Sequence, residues 1–398
     1  MGEILSIVWL DHYGNALDIT RNILEPNPTI GWRQRASLDT TFLKSPLKTN
    51  EWGWRTSPVS NFNKYDKRVL ILGPSSTFGW GVQESDTYAS KLQRLLSDST
   101  STVVINAGEI GYSTFQGERL LSSGEVRSVH PSVIVFAYGV NDLDRSRFFY
   151  QSSKTDAEQF SDSSTSSLEH GALFDRLRSD AFMDILLKTS GALHDLLDPP
   201  KISVSPREDV IPGTRVPIED FTTNITRMIV EGRQYGAKIL FLTTATNLPR
   251  SELSESAVTA MEADYSAATS QWRAGNIQDA KEVLQRILNT DPNQAAAHYF
   301  LSAIATNEGN NSLAHEEFEK ARQAEPYRIS SDVRIYNDAL KRIASEYNIP
   351  VGDIDTWMNG HDRSSLFVDP IHFSPAGNAL IANGIFRIIE DAKMLNQP

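Results

Sequence analysis

The chain has 398 residues, enough for one large domain with a smaller one beside it, and 40% hydrophobic and 22% charged residues are typical of a folded globular protein. A formal net charge of −12 argues against nucleic acid and against an anionic membrane surface as partners. The absence of cysteine excludes disulfides, cysteine nucleophiles and thiolate metal ligands. The apolar start of the chain is too short to span a bilayer and has no basic flank, so we expect a soluble protein without a transmembrane segment. Its location is then cytoplasmic by default, and extracytoplasmic only if an anchor has been removed.

The N-terminal stretch 1–67 is rich in Trp, Asn and Pro and contains no long periodic segment. Four of the seven tryptophans fall in this region: Trp9, Trp32, Trp52 and Trp54. Such side chains can line a sugar-binding surface, but they more commonly pack an irregular segment onto a core. We therefore predict an N-terminal arm over residues 1–67 that packs on the core.

From residue 68 onward, strand patterns alternate with helix patterns, which predicts βαβ units, a parallel sheet and a three-layer α/β fold. The predicted strands are Val69–Leu72, Thr102–Asn106, Val133–Tyr138, Lys238–Thr243 and Pro350–Ile354. The predicted helices are Tyr88–Leu96, Ile218–Tyr235, Asp332–Tyr347 and Ala376–Ala392. Ser374 followed by Pro375 predicts an N-cap and first-turn pair for the last helix.

Two segments interrupt this alternation. Within residues 145–215, the polar stretch Gln151–Ser167 predicts a loop and Phe174–Leu197 predicts a helix. Together they predict an insertion that could cover or border a site. The second interruption, residues 251–330, contains an internal repeat. The domain organisation expected is an arm (1–67), a main domain (68–250), a helical insertion (251–330) and the rest of the main domain (331–398).

The repeat pairs small and apolar residues at one constant spacing. Gly275, Ala280, Leu284, Ile287 and Pro292 correspond to Gly309, Ala314, Phe318, Ala321 and Pro326. Small residues at a helix contact, a larger apolar residue four positions later and a closing proline resemble a tetratricopeptide repeat. Two repeats are fewer than independent stability needs, so we expect the pair to lean on the main domain. It could dock a protein partner, or it could only shape the rim of a site.

Chemistry-bearing residues follow several of the predicted strands. Ser75 follows a buried strand, where open α/β sheets bind ligands. His372 is the natural base for a serine nucleophile, and Asp369, three residues earlier, can reach its other ring nitrogen. The N–H groups of Ser75 and Gly111 and the side-chain amide of Asn141 are candidate donors to an oxyanion. Gly111 suits this role because no Cβ hinders a close approach.

Each of these pieces has a plain structural reading when taken alone. An Asp-x-x-His sequence commonly begins a helix, a Gly-x-Asn-Asp sequence commonly forms a turn, and a histidine is commonly a satisfied core residue. His361 and Asp362 with Asp369 and His372 could instead form a metal cluster, but their spacing matches no defined metal site. The order of the pieces and their positions after strands favour acyl transfer.

On these residues the chain resembles the SGNH/GDSL hydrolase family of esterases, lipases, carbohydrate O-acetyl esterases and acyltransferases. The family's serine corresponds to Ser75, its glycine to Gly111 and its Asp-x-x-His to Asp369 and His372. Its Gly-x-Asn-Asp corresponds to Gly139, Asn141 and Asp142. The run from Thr77 to Val82 and the Gly-Trp-Arg sequences ending at Arg33 and Arg55 are similar to a bacterial branch of the family. The resemblance implies a flavodoxin-like three-layer α/β/α fold and a Ser75–His372–Asp369 triad, with Ser75, Gly111 and Asn141 forming the oxyanion hole.

One residue departs from the family pattern. Pro74 stands where the family's Gly-Asp-Ser has aspartate, so the carboxylate and a backbone N–H are both missing. Because the nucleophile, base and orienting acid are all present, we expect an active serine esterase that needs no metal or organic cofactor. Its expected substrate is an O-acyl ester of a carbohydrate or other small polar metabolite. The alternatives are an O-acyltransferase using the same acyl-enzyme, and a binding module that has lost catalysis.

Overall fold

The computed structural model describes residues 23–27, 29–43, 45–97, 101–143, 155–157, 214–249 and 255–396. The predictions for Trp9, for the helix Phe174–Leu197 and for most of the loop Gln151–Ser167 lie outside the described residues.

The N-terminal region contains two β-hairpins, which the sequence did not predict. Strands β1 (Leu24–Asn27) and β2 (Gly31–Gln34) pair antiparallel, and so do β3 (Asp39–Phe42) and β4 (Ser45–Lys48). Their apolar side chains belong to the core on one face of the central sheet, as do those of Trp32, which is 2% exposed, and Trp54, which is completely buried. This burial supports packing, rather than sugar binding, as the role of these two tryptophans.

A five-stranded parallel sheet lies at the centre of the molecule, in the order β6-β5-β7-β8-β9. Its strands are β5 (Lys67–Gly73), β6 (Thr102–Gly108), β7 (Val133–Phe136), β8 (Lys238–Leu242) and β9 (Val351–Gly352). All pairs are parallel, as predicted. The last strand is shorter than predicted because Ile354 already begins a helix, where the Asp353 side chain accepts a hydrogen bond from the Thr356 N–H.

Helices connect these strands. Those before β8 are α1 (Ser75–Phe78), α2 (Tyr88–Leu96), α3 (Thr114–Leu121), α4 (Gly124–Val129) and α5 (Ile218–Gln234). Those after β8 are α6 (Glu255–Arg273), α7 (Ile277–Thr290), α8 (Ala295–Asn307), α9 (Asn311–Glu346), α10 (Ile354–Trp357) and α11 (Pro375–Asp391). The Ser374 side chain accepts a hydrogen bond from the Gly377 N–H, which confirms the predicted N-cap of the last helix.

Alternate residues of the sheet strands belong to two different cores. Val69 and Ile71 lie in a cluster with α2 and α11, whereas Leu70 and Leu72 lie in a cluster with α3, α5 and the second half of α9. This period of two is expected for a strand buried on both faces. The fold is therefore the predicted α/β/α arrangement of three layers, with a helical region in addition.

Helix α9 differs from its prediction. The sequence indicated a helix ending near Pro326 and a second one over Asp332–Tyr347, but one continuous helix of 36 residues spans both. Its second half packs on the main domain, where the Tyr336 hydroxyl donates to the Val216 carbonyl (2.6 Å). Packing of this kind offsets the roughly 3 kcal/mol that an interior proline costs a helix. The boundary predicted at residue 330 thus falls inside a single helix.

Helices α6, α7 and α8 with the first half of α9 form two antiparallel pairs. Buried side chains of α6, α7 and α8, among them Leu284, Ile287 and Phe300, form a third cluster that is distinct from the two flanking the sheet. We call this region the helical insertion. Within the described residues, no helix combines the length and the apolar character that crossing a membrane requires.

Candidate active site

Ser75 lies where the sheet topology predicts a binding crevice. Strand β5 is followed in the chain by β6 on one side of it and then by β7 on its other side, so the strand order reverses at this point. Ligands of open α/β sheets bind beyond the carboxyl ends of the strands at such a reversal. Ser75 is the first residue of α1, two residues after β5 ends, and is 1% exposed.

Pro74 precedes Ser75 as the N-cap residue of α1, and no side chain caps this short helix. The Pro74 carbonyl accepts hydrogen bonds from the N–H groups of Thr77 and Phe78 (2.9 and 3.0 Å). The turn that holds Ser75 therefore forms without the carboxylate that the family places here.

His372 joins Ser75 to Asp369. The Ser75 Oγ atom lies 2.7 Å from His372 Nε2, and His372 Nδ1 lies 2.6 Å from Asp369 Oδ2. Because a carboxylate only accepts hydrogen bonds, Nδ1 carries the proton toward Asp369, and Nε2 is free to accept the proton of the Ser75 hydroxyl. The structure thus brings three of the predicted residues into one buried hydrogen-bonded series.

Asp369 is held by the backbone as well as by the imidazole. Its Oδ1 accepts hydrogen bonds from the N–H groups of Ile371 and His372, both at 2.8 Å. Burial by itself raises the pKa of this carboxyl, but the charge and hydrogen bonds of His372 and the two backbone donors outweigh it and lower the pKa to about 2. Asp369 is therefore ionised at neutral pH and can stabilise a protonated His372.

The turns after β6 and β7 carry the other predicted residues, Gly111 and Asn141. Gly111 has φ of +80°, a left-handed conformation that favours glycine. Asn141, in the turn after β7, donates from Nδ2 to the carbonyl oxygen of Tyr112 (3.0 Å), which leaves its second amide hydrogen available. Among the residues that the structure describes, neither the Ser75 nor the Gly111 N–H donates a hydrogen bond. These three groups have the donors that an oxyanion requires.

A buried ion pair, which the sequence analysis missed, supports the Gly111 turn. Arg215, 3% exposed, donates from Nη1 to the Gly111 carbonyl oxygen (2.9 Å) and from Nη2 to Asp156 Oδ2 (2.9 Å). Asp156 also accepts a hydrogen bond from the Ser113 hydroxyl (2.7 Å). No local pattern links these residues, because Asp156 and Arg215 are 59 positions apart in the chain.

Asp142, next to Asn141, is bonded to the start of helix α3. Its Oδ1 accepts hydrogen bonds from the N–H and hydroxyl groups of Thr114 at the start of α3, while the buried Oδ2 has no hydrogen-bond partner within the part of the chain that the structure describes. Burial raises the pKa of Asp142 to about 7, although the bonds from Thr114 and the charge of Arg215 oppose the rise.

The residues considered for a metal cluster do not assemble into one. Asp362 instead accepts hydrogen bonds from the N–H and hydroxyl groups of Ser364, and His361 is exposed. Within the described ranges, no group of three His, Asp or Glu side chains is arranged to hold a metal ion.

Comparisons with solved structures find similarities at low sequence identity. A lipase/acylhydrolase from Enterococcus faecalis is 14% identical, with a TM-score of 0.41 over 82% of this chain and 96% of that one. A GDSL-like lipase from Bacteroides thetaiotaomicron is 13% identical, with a TM-score of 0.37 over 85% and 92%. An acetyl xylan esterase, AlAXEase, is 14% identical, with a TM-score of 0.38 over 81% and 99%. No curated protein matches the chain.

A comparison with protein families matches residues 71–282, more than half of the chain, to the GDSL-like Lipase/Acylhydrolase family. The match begins within β5 and includes Ser75, Gly111 and Asn141, whereas Asp369 and His372 lie beyond it. The chain belongs to the GDSL-like lipase/acylhydrolase family.

Proposed function

We propose that this protein is a serine esterase that cleaves an O-acyl ester of a carbohydrate or another small polar metabolite. The observation that carries the proposal is the buried series from Ser75 Oγ through the His372 ring to Asp369, with heavy-atom distances of 2.7 and 2.6 Å. Membership of a hydrolase family supports the reaction class. The sugar or metabolite part of the substrate is what the family resemblance implies.

In the proposed mechanism, Ser75 Oγ attacks the ester carbonyl while His372 Nε2 takes the hydroxyl proton. The developing oxyanion accepts hydrogen bonds from the N–H groups of Ser75 and Gly111 and from the Asn141 amide. His372 then gives its proton to the departing alkoxide, and an acyl-enzyme remains on Ser75. A water molecule, deprotonated by His372, releases the acid and restores the serine. Throughout, ionised Asp369 holds the imidazole in the required tautomer.

The test uses intact-protein mass spectrometry after mixing with p-nitrophenyl acetate or with a fluorophosphonate. We expect a covalent adduct on the wild-type protein and on Ser76→Ala, a control that removes the neighbouring hydroxyl. We expect none on Ser75→Ala. Loss of a triad member typically lowers kcat by about 10⁴-fold or more. Equal adduct formation, or its equal absence, in all three proteins would contradict the proposal and favour a binding module without catalysis.

Analysis of the products formed from p-nitrophenyl acetate separates hydrolysis from acyl transfer. If adding an acceptor alcohol turns the released acetate into the alcohol's ester while p-nitrophenol is still formed, the acyl-enzyme prefers an acceptor hydroxyl to water. If only acetate forms at every acceptor concentration, the protein is an esterase.

We also propose that the helical insertion contains a pair of tetratricopeptide-like repeats. Gly275 and Gly309, which occupy equivalent positions of the sequence repeat, both have positive φ (+82° and +75°) in the turns within the two helix pairs. Ala280 is fully buried, as a small residue at a helix contact would be, whereas Ala314, its equivalent in the second repeat, is half-buried. The continuous helix through Pro326 departs from the repeat pattern. That the pair docks a protein partner stays a prediction.

A further inference from the structure

Two motifs of the sequence have no part in the proposed mechanism, namely Trp52–Arg55 and the loop Phe78–Val82. In the structure they are bonded to each other. Arg55, 3% exposed, donates hydrogen bonds from Nη1 to the carbonyl oxygens of Phe78 and Gly79 (3.2 and 2.8 Å) and from Nη2 to that of Val82 (2.9 Å). One guanidinium group thus ties together both ends of this loop.

The loop places Trp80 against the base of the proposed triad. The indole ring is stacked on the His372 imidazole, with ring centroids 5.2 Å apart and planes inclined by 16°. The backbone N–H of Trp80 donates to the carbonyl oxygen of Ser75 (3.0 Å), so the same residue is bonded to the segment that carries the nucleophile. Trp80 therefore contacts both partners of the proton transfer.

The loop has little freedom to move the indole away. Gly79 has φ of +92°, and a Cβ there would lie 2.3 Å from the Thr87 side chain, so the tight turn requires glycine. The Phe42 ring lies edge-on to Phe78 and to Trp80, with centroid distances of 5.9 and 5.1 Å. Phe42 and Arg55 both come from the N-terminal region, which consequently forms the back wall of the Trp80 loop.

An indole face beside an imidazole attracts the protonated ring and restricts its rotation. When His372 accepts the Ser75 proton it becomes a cation, and a cation within about 6 Å of an indole ring is attracted to the ring's negative face. Parallel stacking also opposes rotation of the imidazole about its bond to Cβ, and such rotation would break the hydrogen bonds to Ser75 and Asp369 together.

We propose that Trp80 is a positioning residue that holds the His372 ring in its reactive orientation and stabilises its protonated form, and that Arg55 maintains Trp80 in that position. This inference rests on the proposed function for its catalytic part, whereas the positioning part concerns the resting protein. The N-terminal region is then a component of the active site and not only a cover of the core.

The kinetic test compares Trp80→Leu with Trp80→Phe on p-nitrophenyl acetate. We expect Trp80→Leu to lower kcat by about 3- to 30-fold with little change in KM, the range that a cation–π contact supplies. Trp80→Phe, which keeps an aromatic face, should recover most of this loss. The kcat of Arg55→Met should lie closer to that of Trp80→Leu than to that of Trp80→Phe. Trp272→Leu in the helical insertion, where an indole packs edge-on to Phe300 at 5.2 Å, is the control for loss of a packed tryptophan and should leave kcat unchanged.

A second measurement is independent of activity. In protein labelled with ¹³C at histidine Cε1, the His372 signal is assigned by its absence in His372→Asn. The ring current of a stacked indole should shift the proton bonded to His372 Cε1 upfield in the wild-type protein. The shift should be lost in Trp80→Leu, reduced in Arg55→Met and unchanged in Trp272→Leu.

The two measurements give distinguishable outcomes. A wild-type protein that reacts with neither reagent defeats the proposed function and the catalytic part of this inference, while the His372 signal still decides the positioning part. An active wild-type protein with unchanged kcat in Trp80→Leu overturns the inference and leaves the proposed function intact. A His372 signal that does not respond to Trp80→Leu overturns the positioning role.

Discussion

Among the residues that the structure describes, the N-terminal region and the helical insertion both lie outside the sheet and its flanking helices, and they relate to the candidate site in opposite ways. The insertion has the clearer sequence pattern, an internal repeat with constant spacing, yet its buried side chains form a cluster of their own. The N-terminal region has no periodic pattern, yet its side chains belong to the main core. The region with the regular sequence pattern is thus not the one that packs with the core beside the candidate site.

The N-terminal region contacts both the Trp80 loop and the Gly111 turn. Besides the bonds of Arg55, the Gln34 side chain bridges the Gly111 turn, donating to the Gly108 carbonyl (2.8 Å) and accepting from the Ile110 N–H (3.3 Å). Trp32 Nε1 donates to the Ile110 carbonyl (2.8 Å). Because these bonds hold the backbone of Gly108 and Ile110, just before Gly111, the region helps to determine where Gly111 lies.

The first and largest expected effect concerns Gln34→Leu. This change leaves the Gly108 carbonyl and the Ile110 N–H unpaired in the core, at a cost of about 1–3 kcal/mol for each group. The Gly111 turn should then lose its alignment, and a misplacement of about 1 Å typically lowers kcat by ~10². Urea denaturation and steady-state kinetics measure the two effects.

The matched control for that prediction is Gln285→Leu, the same substitution at an exposed position of α7. It should change neither the unfolding free energy by more than about 0.5 kcal/mol nor kcat. Equal kinetic effects of the two substitutions would remove the proposed difference between the regions.

Phe300→Ala is the complementary change in the helical insertion. Phe300 is 1% exposed, and its truncation should destabilise the insertion by about 3–5 kcal/mol. Because its cluster is distinct from the main core, kcat on p-nitrophenyl acetate should stay the same at temperatures where the main domain is folded. Hydrogen exchange should show faster exchange in α7 and α8 but not in β5 to β8. A parallel loss of activity would mean that the insertion is coupled to the site.

The pH dependence of stability should differ in sign between the site and the insertion. Burial raises the pKa of Asp142 to about 7 from 3.8, so its contribution to stability is complete below pH 3.8 and is lost as the pH rises through 7, at up to about 1.4 kcal/mol per pH unit. Burial alone would raise the pKa of Glu317, but hydrogen bonds from Lys320 and His298 lower it below 4.5. Its contribution is therefore present above pH 4.5 and is lost as the pH falls further.

Two variants separate these titrations. Asp142→Asn should flatten the decline of the unfolding free energy between about pH 4 and 7, and Glu317→Gln should reduce the loss of protection of α8 below pH 4.5. Hydrogen exchange across the pH series measures both. An Asp142→Asn protein with an unchanged pH profile would show that this carboxyl does not titrate as expected.

The smallest expected effect concerns surface ion pairs. Lys281 Nζ lies 2.6 and 2.7 Å from the two carboxylate oxygens of Glu308 in the insertion, and the Lys281 side chain is 27% exposed. Because water screens such pairs, Lys281→Met should cost at most about 1 kcal/mol. Arg33 in the N-terminal region pairs with Glu125 (3.0 Å), and Arg33→Met should cost more because Arg33 also donates to the Trp52 carbonyl (2.7 Å). Thermal melts of both variants provide the comparison, and a larger effect at Lys281 would reverse it.

Much of the fold could be predicted because its signals are local. Helix α2 has the predicted bounds Tyr88–Leu96, since its apolar spacing and the Thr87 cap lie within one short stretch. The hairpins β1–β2 and β3–β4 could not be predicted in this way, because such short strands carry too little pattern and depend on the core beneath them. Helix α9 passes through Pro326 for a similar reason, since contacts of its second half with the main domain outweigh the local preference of the proline.

By itself the sequence determined the central α/β alternation and the chemical groups of the candidate site. Asp369 and His372 can be paired from sequence because their spacing within one turn brings a carboxylate and an imidazole together. Only the tertiary structure decided that His372 meets Ser75, 297 positions away, and that Trp80 stacks on its ring. It also decided that Arg55 bonds to the Trp80 loop and that Gln34 and Arg215 bond to the turn around Gly111. Periodicity and turn chemistry act over a few residues, whereas contacts between distant segments depend on how the layers pack, and no local pattern encodes that packing.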